Sequence, residues 1–380
     1  MIPYGRQSID DSDIDAVIAA LRSPWLTQGP LVPRFEQALS RRCQADFGIA
    51  VSSATAALHI ACLALDIGPG DTVWTSPNTF VASANCARYC GASVDFVDID
   101  PATLNMSVAA LEEKLASAKK SGNLPRAIIP VHFSGRSCEM REIARLARQH
   151  GVRIIEDGSH ASGATYLGRP VGCCEFSDIC VFSFHPVKIM TTGEGGILLS
   201  NDHQLAARAA RLRNHGITRD TEAMQECDGA WHYEQLELGF NYRLSDLHAA
   251  LGLSQLTRLD EFVARRRAIA ESYNAGLAHL GIGLPLASAD SAWHLYPIRL
   301  PVERRAAVFN ELRERGIGSQ VHYIPVHLQP YYRKLGFAAG DFPVAEAYYR
   351  QALSLPIFPG LSDSDQQLVV RLLSESLDPS

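Results

Sequence analysis

Two side chains of this sequence stand where chemistry is possible, Lys188 and Asp157. Lys188 lies in a turn rich in Pro, Gly and Thr that follows the apolar run at residues 179–182. An amine in such a turn can act as a nucleophile or as a base. Asp157 ends the aliphatic run at residues 153–157, and a buried carboxylate is costly unless it meets a positive group.

Together these two residues suit pyridoxal 5'-phosphate (PLP). Asp157 would keep the pyridine nitrogen protonated, so that the ring becomes an electron sink, and Lys188 would form a Schiff base and then carry protons. Taken singly, each residue has a structural interpretation. Lys188 could form a salt bridge, and Asp157 could cap the segment that follows it. The pair favours the cofactor.

The phosphate of such a cofactor needs donors, and the sequence offers a place for it. Ser52, Ser53 and Thr55 precede or open an Ala-rich helix, and the start of a helix binds phosphate through its backbone N–H groups. Helix capping alone would also explain these residues. Ser183 could add a hydroxyl. Phe80 could cover the ring face by stacking, or it could be a core residue.

The elements that must position these side chains alternate between strand and helix. Apolar, β-rich runs are predicted as strands at residues 49–51, 72–76, 94–98, 127–132, 153–157, 179–183 and 196–200. Helical patterns lie between them at residues 55–65, 80–90, 109–120 and 140–150. This alternation predicts an α/β domain with a mainly parallel sheet covered on both faces.

The pattern changes in the last third of the chain. Short predicted strands at residues 294–300 and 318–323 flank a predicted helix at residues 302–315. We therefore expect a large domain over residues 1–259 and a smaller α+β domain over residues 260–380. The basic run at residues 265–267 is predicted to lie on a solvated helix face.

The composition of the chain argues against a nucleic-acid-binding, secreted, membrane or metal-binding protein. The chain has 380 residues and a formal net charge of −6, whereas nucleic-acid-binding proteins are usually basic. No signal peptide or membrane span is predicted. Nine scattered cysteines favour reduced thiols and a cytoplasmic enzyme. No metal site is expected, since Cys86 with Cys90 and His322 with His327 lack further ligands.

Several motifs, in order along nearly the whole chain, resemble the DegT/DnrJ/EryC1/StrS family of sugar aminotransferases. The matching stretches are Leu26-Thr27-Gln28-Gly29-Pro30, Ser52-Ser53-Ala54-Thr55, Glu156-Asp157-Gly158-Ser159-His160, residues 183–196, residues 239–246 and Val321-His322-Tyr323-Ile324-Pro325. The resemblance implies a type I PLP-dependent fold, like that of aspartate aminotransferase, with PLP as the cofactor.

The resemblance also implies roles for individual residues. Lys188 corresponds to the Schiff-base lysine, Asp157 to the partner of the ring nitrogen, and His160 to the residue that binds the ring hydroxyl. The implied cofactor-binding residues are Ala54, Thr55, Phe80, Asp157, His160, Ser183, Lys188 and Asn241. Asn241 would reach the phosphate of the neighbouring subunit, which implies a homodimer with shared sites. The implied substrate contacts are Tyr4, Pro24, Trp25, Leu26, Thr27, Gln320, Val321, His322 and Tyr323.

Within the family, two runs are similar to the transaminases that make UDP-4-amino-4,6-dideoxy-N-acetyl-β-L-altrosamine for pseudaminic acid. They are residues 182–196 and Arg213-Asn214-His215-Gly216-Ile217. The implied reaction moves an amino group from L-glutamate to the C4 ketone of a UDP-4-keto-6-deoxy-N-acetyl-hexosamine, leaving 2-oxoglutarate. The alternatives are enzymes of the UDP-4-amino-4-deoxy-L-arabinose or GDP-perosamine type, or a regulatory relative without catalysis.

Overall fold

The computed structural model describes residues 1–377, and thirteen α-helices and thirteen strands form its framework. The helices are α1 Asp11–Arg22, α2 Leu31–Cys43, α3 Ala54–Ala64, α4 Ala82–Tyr89, α5 Val108–Ser121, α6 Met140–His150, α7 His203–Arg213, α8 Asp246–Thr257, α9 Leu259–Leu277, α10 Val302–Glu314, α11 Pro330–Arg333, α12 Pro343–Gln351 and α13 Asp363–Leu377. The strands are β1 Phe47–Val51, β2 Thr72–Thr75, β3 Ser93–Phe96, β4 Ala127–Ile129, β5 Arg153–Asp157, β6 Thr165–Tyr166, β7 Arg169–Pro170, β8 Ile179–Ser183, β9 Gly196–Ser200, β10 Ile217–Thr218, β11 Glu234–Gln235, β12 Tyr296–Arg299 and β13 Ala352–Leu355.

Seven strands form one large sheet in the order β1-β9-β8-β5-β4-β2-β3. Neighbours from β8 to β3 are parallel, whereas β9 runs antiparallel to both β8 and β1. The expected mainly parallel α/β sheet is therefore present, and the type I fold is confirmed. Because the parallel strands end at one edge, the loops after β1, β2, β5 and β8 meet there, and ligands bind at that edge in open α/β sheets.

Strands β5, β8 and β9, which carry Asp157 or flank the turn of Lys188, have the bounds that the sequence predicted. All five residues of β8 and of β9 are buried. Strands buried on both faces give continuous apolar runs in the sequence, which is why these were recognisable.

Two hydrophobic clusters meet within α9. Phe262 and Val263 pack with residues of the large sheet and its helices, whereas Ile269 and Tyr273 pack with β12, β13, α10 and α13. The change of partner occurs in the first half of the helix. We keep the division into residues 1–259 and 260–380 as a proposal.

Residues 318–323 are not a strand, so this prediction is wrong. The sheet of the C-terminal region pairs β12 with β13 in antiparallel register. Gln320 makes a single bridge to Ser354, and the chain then turns through Pro325. Among residues 1–377, the side of β13 away from β12 therefore pairs only with Gln320, although the run Val321-His322-Tyr323 has a strand-like composition.

The basic run at residues 265–267 is also not a wholly solvated face. Arg266 has no exposed surface, and its guanidinium donates to the carbonyl oxygens of Trp293, His294 and Ile357 at 3.3, 3.3 and 2.9 Å. These carbonyls come from segments far away in sequence, so local periodicity could not reveal them. Within residues 1–377, no helix has both the length and the apolar character needed to cross a membrane.

Candidate active site

A cavity of about 360 Å³ lies at the carboxyl edge of the large sheet. Its size is within the range of small-molecule sites. It is lined by Tyr4, Ser53, Ala54, Thr55, Leu58, Thr79, Phe80, Ala82, Val131, Asp157, Ser159, His160, Ser183, His185, Val187, Lys188, Glu194, Gly195, His322 and Tyr323.

Asp157 is the last residue of β5 and is buried. Its Oδ1 accepts a hydrogen bond from the backbone N–H of Ser159 at 3.0 Å, and its Oδ2 accepts one from the hydroxyl of Ser83 at 2.6 Å. Hydrogen bonds to the ionised form stabilise a buried carboxylate. The carboxylate of Asp157 therefore lines the cavity with each of its two oxygens already accepting one hydrogen bond.

Lys188 lies in the turn after β8. The turn is closed by backbone bonds from Lys188 N to His185 O at 2.9 Å and from Thr192 N to Phe184 O at 3.0 Å. Burial lowers the pKa of the Lys188 ammonium to about 8, and the attraction of Asp157 opposes this shift only in part. The amine is thus far more often unprotonated at neutral pH than an ordinary lysine.

The N-terminus of α3 faces the same cavity. Ser53 caps the helix, since its hydroxyl accepts from the N–H of Ala56 at 3.1 Å. Among the described hydrogen bonds, none uses the N–H of Ala54 or Thr55. Gly196 allows β9 to start against this turn, because a Cβ there would lie 2.5 Å from Ala54 N. Free N–H groups and the helix dipole make this turn an anion site.

His160 forms a neutral wall of the cavity. Burial, followed by the charge of Lys188, lowers the pKa of His160 well below its usual range. Its Nε2 lies 3.1 Å from the hydroxyl of Tyr323, and its ring lies 4.3 Å from that of His294 between centroids. Within the described residues, its Nδ1 is buried and has no hydrogen-bond partner.

Residues from both ends of the chain complete the wall. Tyr4 accepts a backbone bond from Ile357 at 3.0 Å, which fixes the N-terminal segment against the C-terminal region. His322 Nδ1 lies 2.9 Å from the hydroxyl of Ser354. Phe80 sits across the opening with 58% of its surface exposed. The cavity is thus lined both by polar groups and by the aromatic side chains of Tyr4, Phe80 and Tyr323.

Comparison with known proteins identifies the family. The DegT/DnrJ/EryC1/StrS aminotransferase family matches residues 7–374. The chain belongs to this family. It is similar to the spore coat polysaccharide biosynthesis protein SpsC of Bacillus subtilis, with 38% identity over 98% of this chain and 96% of SpsC.

Two solved structures share the fold of this aminotransferase. The putative sugar aminotransferase Spr1654 of Streptococcus pneumoniae, in its PMP form, has a TM-score of 0.91 and 30% identity, covering 99% of each chain. PseC of Helicobacter pylori, an aminotransferase in pseudaminic acid biosynthesis, has a TM-score of 0.91 and 29% identity, also covering 99% of each chain. The cofactor of the present aminotransferase is accordingly PLP.

The cavity of the aminotransferase fits PLP by its donor set. The free N–H groups of Ala54 and Thr55 suit the phosphate, and the supported carboxylate of Asp157 suits a protonated ring nitrogen. Lys188 supplies an amine whose pKa of about 8 suits covalent attachment. The exposed ring of Phe80 can cover one face of the cofactor.

The cavity brings together ten of the site residues predicted from the sequence. They are Tyr4, Ala54, Thr55, Phe80, Asp157, His160, Ser183, Lys188, His322 and Tyr323. Seven others do not line it: Pro24, Trp25, Leu26, Thr27, Asn241, Gln320 and Val321. Of these seven, all but Val321 are exposed. Their predicted roles remain predictions.

Sequence reasoning missed several residues of the site. Ser83 supports Asp157, Thr79 and Ser159 lie beside them, and Glu194 with Gly195 lines the cavity next to Lys188. Glu194 and Gly195 lie in the motif that follows Lys188, so their proximity could have been inferred. Ser83 carries no such signal, because a serine in the first turn of a helix normally suggests only local capping.

Proposed function

We propose that the aminotransferase moves an amino group from L-glutamate to the C4 ketone of a UDP-linked 4-keto-6-deoxy-N-acetyl-hexosamine. The product would be UDP-4-amino-4,6-dideoxy-N-acetyl-β-L-altrosamine, with 2-oxoglutarate as the co-product. The observation that carries the proposal is the convergence of Lys188, Asp157 and the free end of α3 on one cavity. The similarity to PseC supports the choice of sugar.

The chemistry divides between the cofactor and the side chains. PLP, when bound, supplies the electron sink on which amino groups are exchanged. Asp157 would hold the ring nitrogen, and the N–H groups of Ala54 and Thr55, with the hydroxyl of Ser183, would hold the phosphate. Lys188 Nζ would carry a proton between the substrate carbon that bears the amino group and the cofactor carbon on the other side of that nitrogen.

The neutral groups suit an uncharged sugar. His160 and His322 both have a pKa lowered by burial, that of His322 to about 3. Burial likewise raises the pKa of the Tyr323 hydroxyl, which therefore keeps its proton. These side chains can exchange hydrogen bonds with sugar hydroxyl and acetamido groups without adding charge to the cavity.

We also propose that the active unit is a homodimer with shared sites. Apolar side chains cluster on an exposed segment before Asn241: Trp231 is 74% and Leu238 is 80% exposed. Exposed apolar surface of this kind marks an interface. In a dimer formed through this segment, Asn241 would enter the active site of the partner subunit. Residues 24–27 would likewise contact the substrate bound by the partner subunit.

A panel of sugar nucleotides tests the substrate. The protein would be converted with L-glutamate to its pyridoxamine phosphate form, freed of excess glutamate, and mixed with UDP-, GDP- and dTDP-linked 4-keto sugars. Recovery of the aldehyde form, followed by absorbance, should be fastest with the UDP-4-keto-6-deoxy-N-acetyl-hexosamine.

Other outcomes would redirect the proposal. Faster recovery with a UDP-4-keto-pentose or a GDP-4-keto-6-deoxyhexose would select the corresponding alternative. SpsC, which has the higher identity, is named for polysaccharide biosynthesis and not for pseudaminic acid, so the panel must include sugars of both kinds. A protein that exchanges no amino group with L-glutamate or with any of these sugars would be a regulatory relative.

Replacing Lys188 tests the assigned role of its amine. Lys188→Ala should lower transamination by about a thousandfold or more, because the nucleophile and the proton carrier are lost together. PLP should still bind, but without a covalent link, as shown by dialysis and mass spectrometry. Lys334→Ala, at an exposed lysine, is the control. A Lys188→Ala protein with near-normal turnover would refute the assignment.

A further inference from the structure

We infer that Ser83 is a positioning residue that holds the carboxylate of Asp157 in its orientation toward the cofactor. The inference rests on the proposed role of Asp157 beside the ring nitrogen. Ser83 lies in the first turn of α4 and is completely buried. It does not line the cavity, so it can act there only through another residue.

The hydrogen bonds around Ser83 have a direction. Ser83 Oγ donates to Asp157 Oδ2 at 2.6 Å, which is the short distance typical of a hydroxyl bonded to a carboxylate. Ser83 Oγ also lies 2.8 Å from Thr79 Oγ1. A hydroxyl has one proton, and that of Ser83 is used on Asp157. Thr79 must therefore donate its hydroxyl proton to Ser83. The two hydrogen bonds thus run in one direction, from Thr79 to Ser83 and from Ser83 to Asp157.

Within residues 1–377, Asp157 forms no salt bridge, so its support comes from hydrogen bonds. Asp157 is buried, and its described hydrogen bonds come only from Ser83 and from the N–H of Ser159. Burial favours the protonated form of a carboxyl group, whereas donated hydrogen bonds favour the ionised form. The two donors leave the remaining lone pairs of the carboxylate directed to the cavity. An arginine or lysine in place of Ser83 would instead neutralise the charge that the ring nitrogen needs.

The effect of losing Ser83 follows from the same electrostatics. Without its donor, the carboxylate is less well oriented and holds more tightly the proton that it shares with the ring nitrogen, so the ring carries less positive charge. A less positive ring repels less strongly the proton on the Lys188 nitrogen that is linked to the bound cofactor. The pKa of that nitrogen is then higher. The pH midpoint of the cofactor's visible absorbance should therefore rise.

The experiment is a pH titration of the visible absorbance of the PLP-loaded protein and its variants. Ser83→Ala should raise the midpoint by about half a unit or more, and Ser83→Thr, which keeps the hydroxyl, should restore it. Ser376→Ala is the matched control, since Ser376 is buried and its hydroxyl donates to Leu372 O at 2.9 Å in α13. Its midpoint should equal that of the unmodified protein.

Two further variants make the result decisive. Thr79→Val keeps Ser83 but removes the donor behind it, and should shift the midpoint in the same direction by a smaller amount. If the Ser83→Ala protein does not fold, the Thr79→Val protein tests the same hydrogen bonds. Asp157→Asn should give the largest shift. If Asp157→Asn shifts the midpoint while Ser83→Ala and Thr79→Val do not, the role of Ser83 is refuted and the proposed function stands. If Asp157→Asn has no effect, the assignment of Asp157 is itself wrong.

Discussion

At the scale of single residues, Lys188 shows how burial changes the protonation of an amine. Its pKa falls to about 8 because burial disfavours the ammonium, and the nearby Asp157 restrains this fall. At pH 7 about a tenth of the amine is then unprotonated, against a few parts in ten thousand for an ordinary lysine. The same burial keeps the rings of His160 and His322 neutral.

The depressed pKa of Lys188 predicts a pH dependence for cofactor attachment. Only the unprotonated amine attacks an aldehyde, so the rate of covalent PLP attachment to the apoprotein should rise with pH and level off above about 8. Stopped-flow absorbance measures this rate. N-acetyl-lysine amide in the same buffers is the control, and its rate should keep rising toward its own pKa of about 10.4. A protein profile that follows the control would contradict the burial argument.

At the scale of elements, Asp246 connects two of the sequence motifs. It is completely buried at the start of α8, and its carboxylate accepts from the N–H groups of Gly29, Leu31 and Val32 at 3.2, 3.2 and 3.4 Å. Its own N–H donates to Leu26 O at 3.0 Å. The motif at residues 239–246 thereby fixes the loop at residues 26–29 and caps α2, whose N-cap Pro30 offers no side-chain cap.

Removing this carboxylate should destabilise the fold. Asp246→Ala leaves three backbone N–H groups without their acceptor, which should lower the free energy of unfolding by about 2–4 kcal/mol. Urea unfolding of the apoprotein measures the loss. Asp260→Ala is the matched control, because the side chain of Asp260 is 82% exposed in its pair with Arg42, and it should change stability by less than about 0.5 kcal/mol. Equal effects of the two substitutions would refute the role of Asp246.

At the scale of the whole molecule, some of the residues predicted for the active site do not line the cavity of their own chain. Asn241 and residues 24–27 are exposed and do not line it. Asn241 is nevertheless held in place, since its segment pairs with the chain before α3: Ser52 N donates to Tyr242 O at 2.8 Å. A side chain that is held but exposed suits a role in a neighbouring copy.

Subunit mixing tests this shared site. Lys188→Ala and Asn241→Asp proteins should each be nearly inactive, the second because its carboxylate would repel the phosphate. Co-refolding equal amounts should restore about a quarter of the normal activity, since half of the dimers are mixed and each carries one intact site. Lys188→Ala mixed with Asp157→Ala is the control and should stay inactive, because both residues belong to the same chain's site. No recovery in the first mixture would refute sharing between subunits.

The main strands and the placement of Asp157 and Lys188 could be predicted from the sequence, because these features depend on short local patterns. β5, β8 and β9 are mostly buried strands; Asp157 ends β5, and Lys188 lies in the turn after β8. Parallel strands end at one edge, so the strand order was not needed to place both residues near one ligand. The small set of motifs also identified the family, which the match over residues 7–374 confirms.

Other features were decided only by tertiary structure. Ser83 supports a carboxylate 74 residues away, Arg266 satisfies carbonyls up to 91 residues away, and residues 318–323 make a single bridge to Ser354 where a strand was expected. The same residue types elsewhere would form a local cap, a solvated helix face and a strand. A side chain's hydrogen-bond partner depends on which segments the packing brings beside it, and neither spacing nor composition encodes that directly.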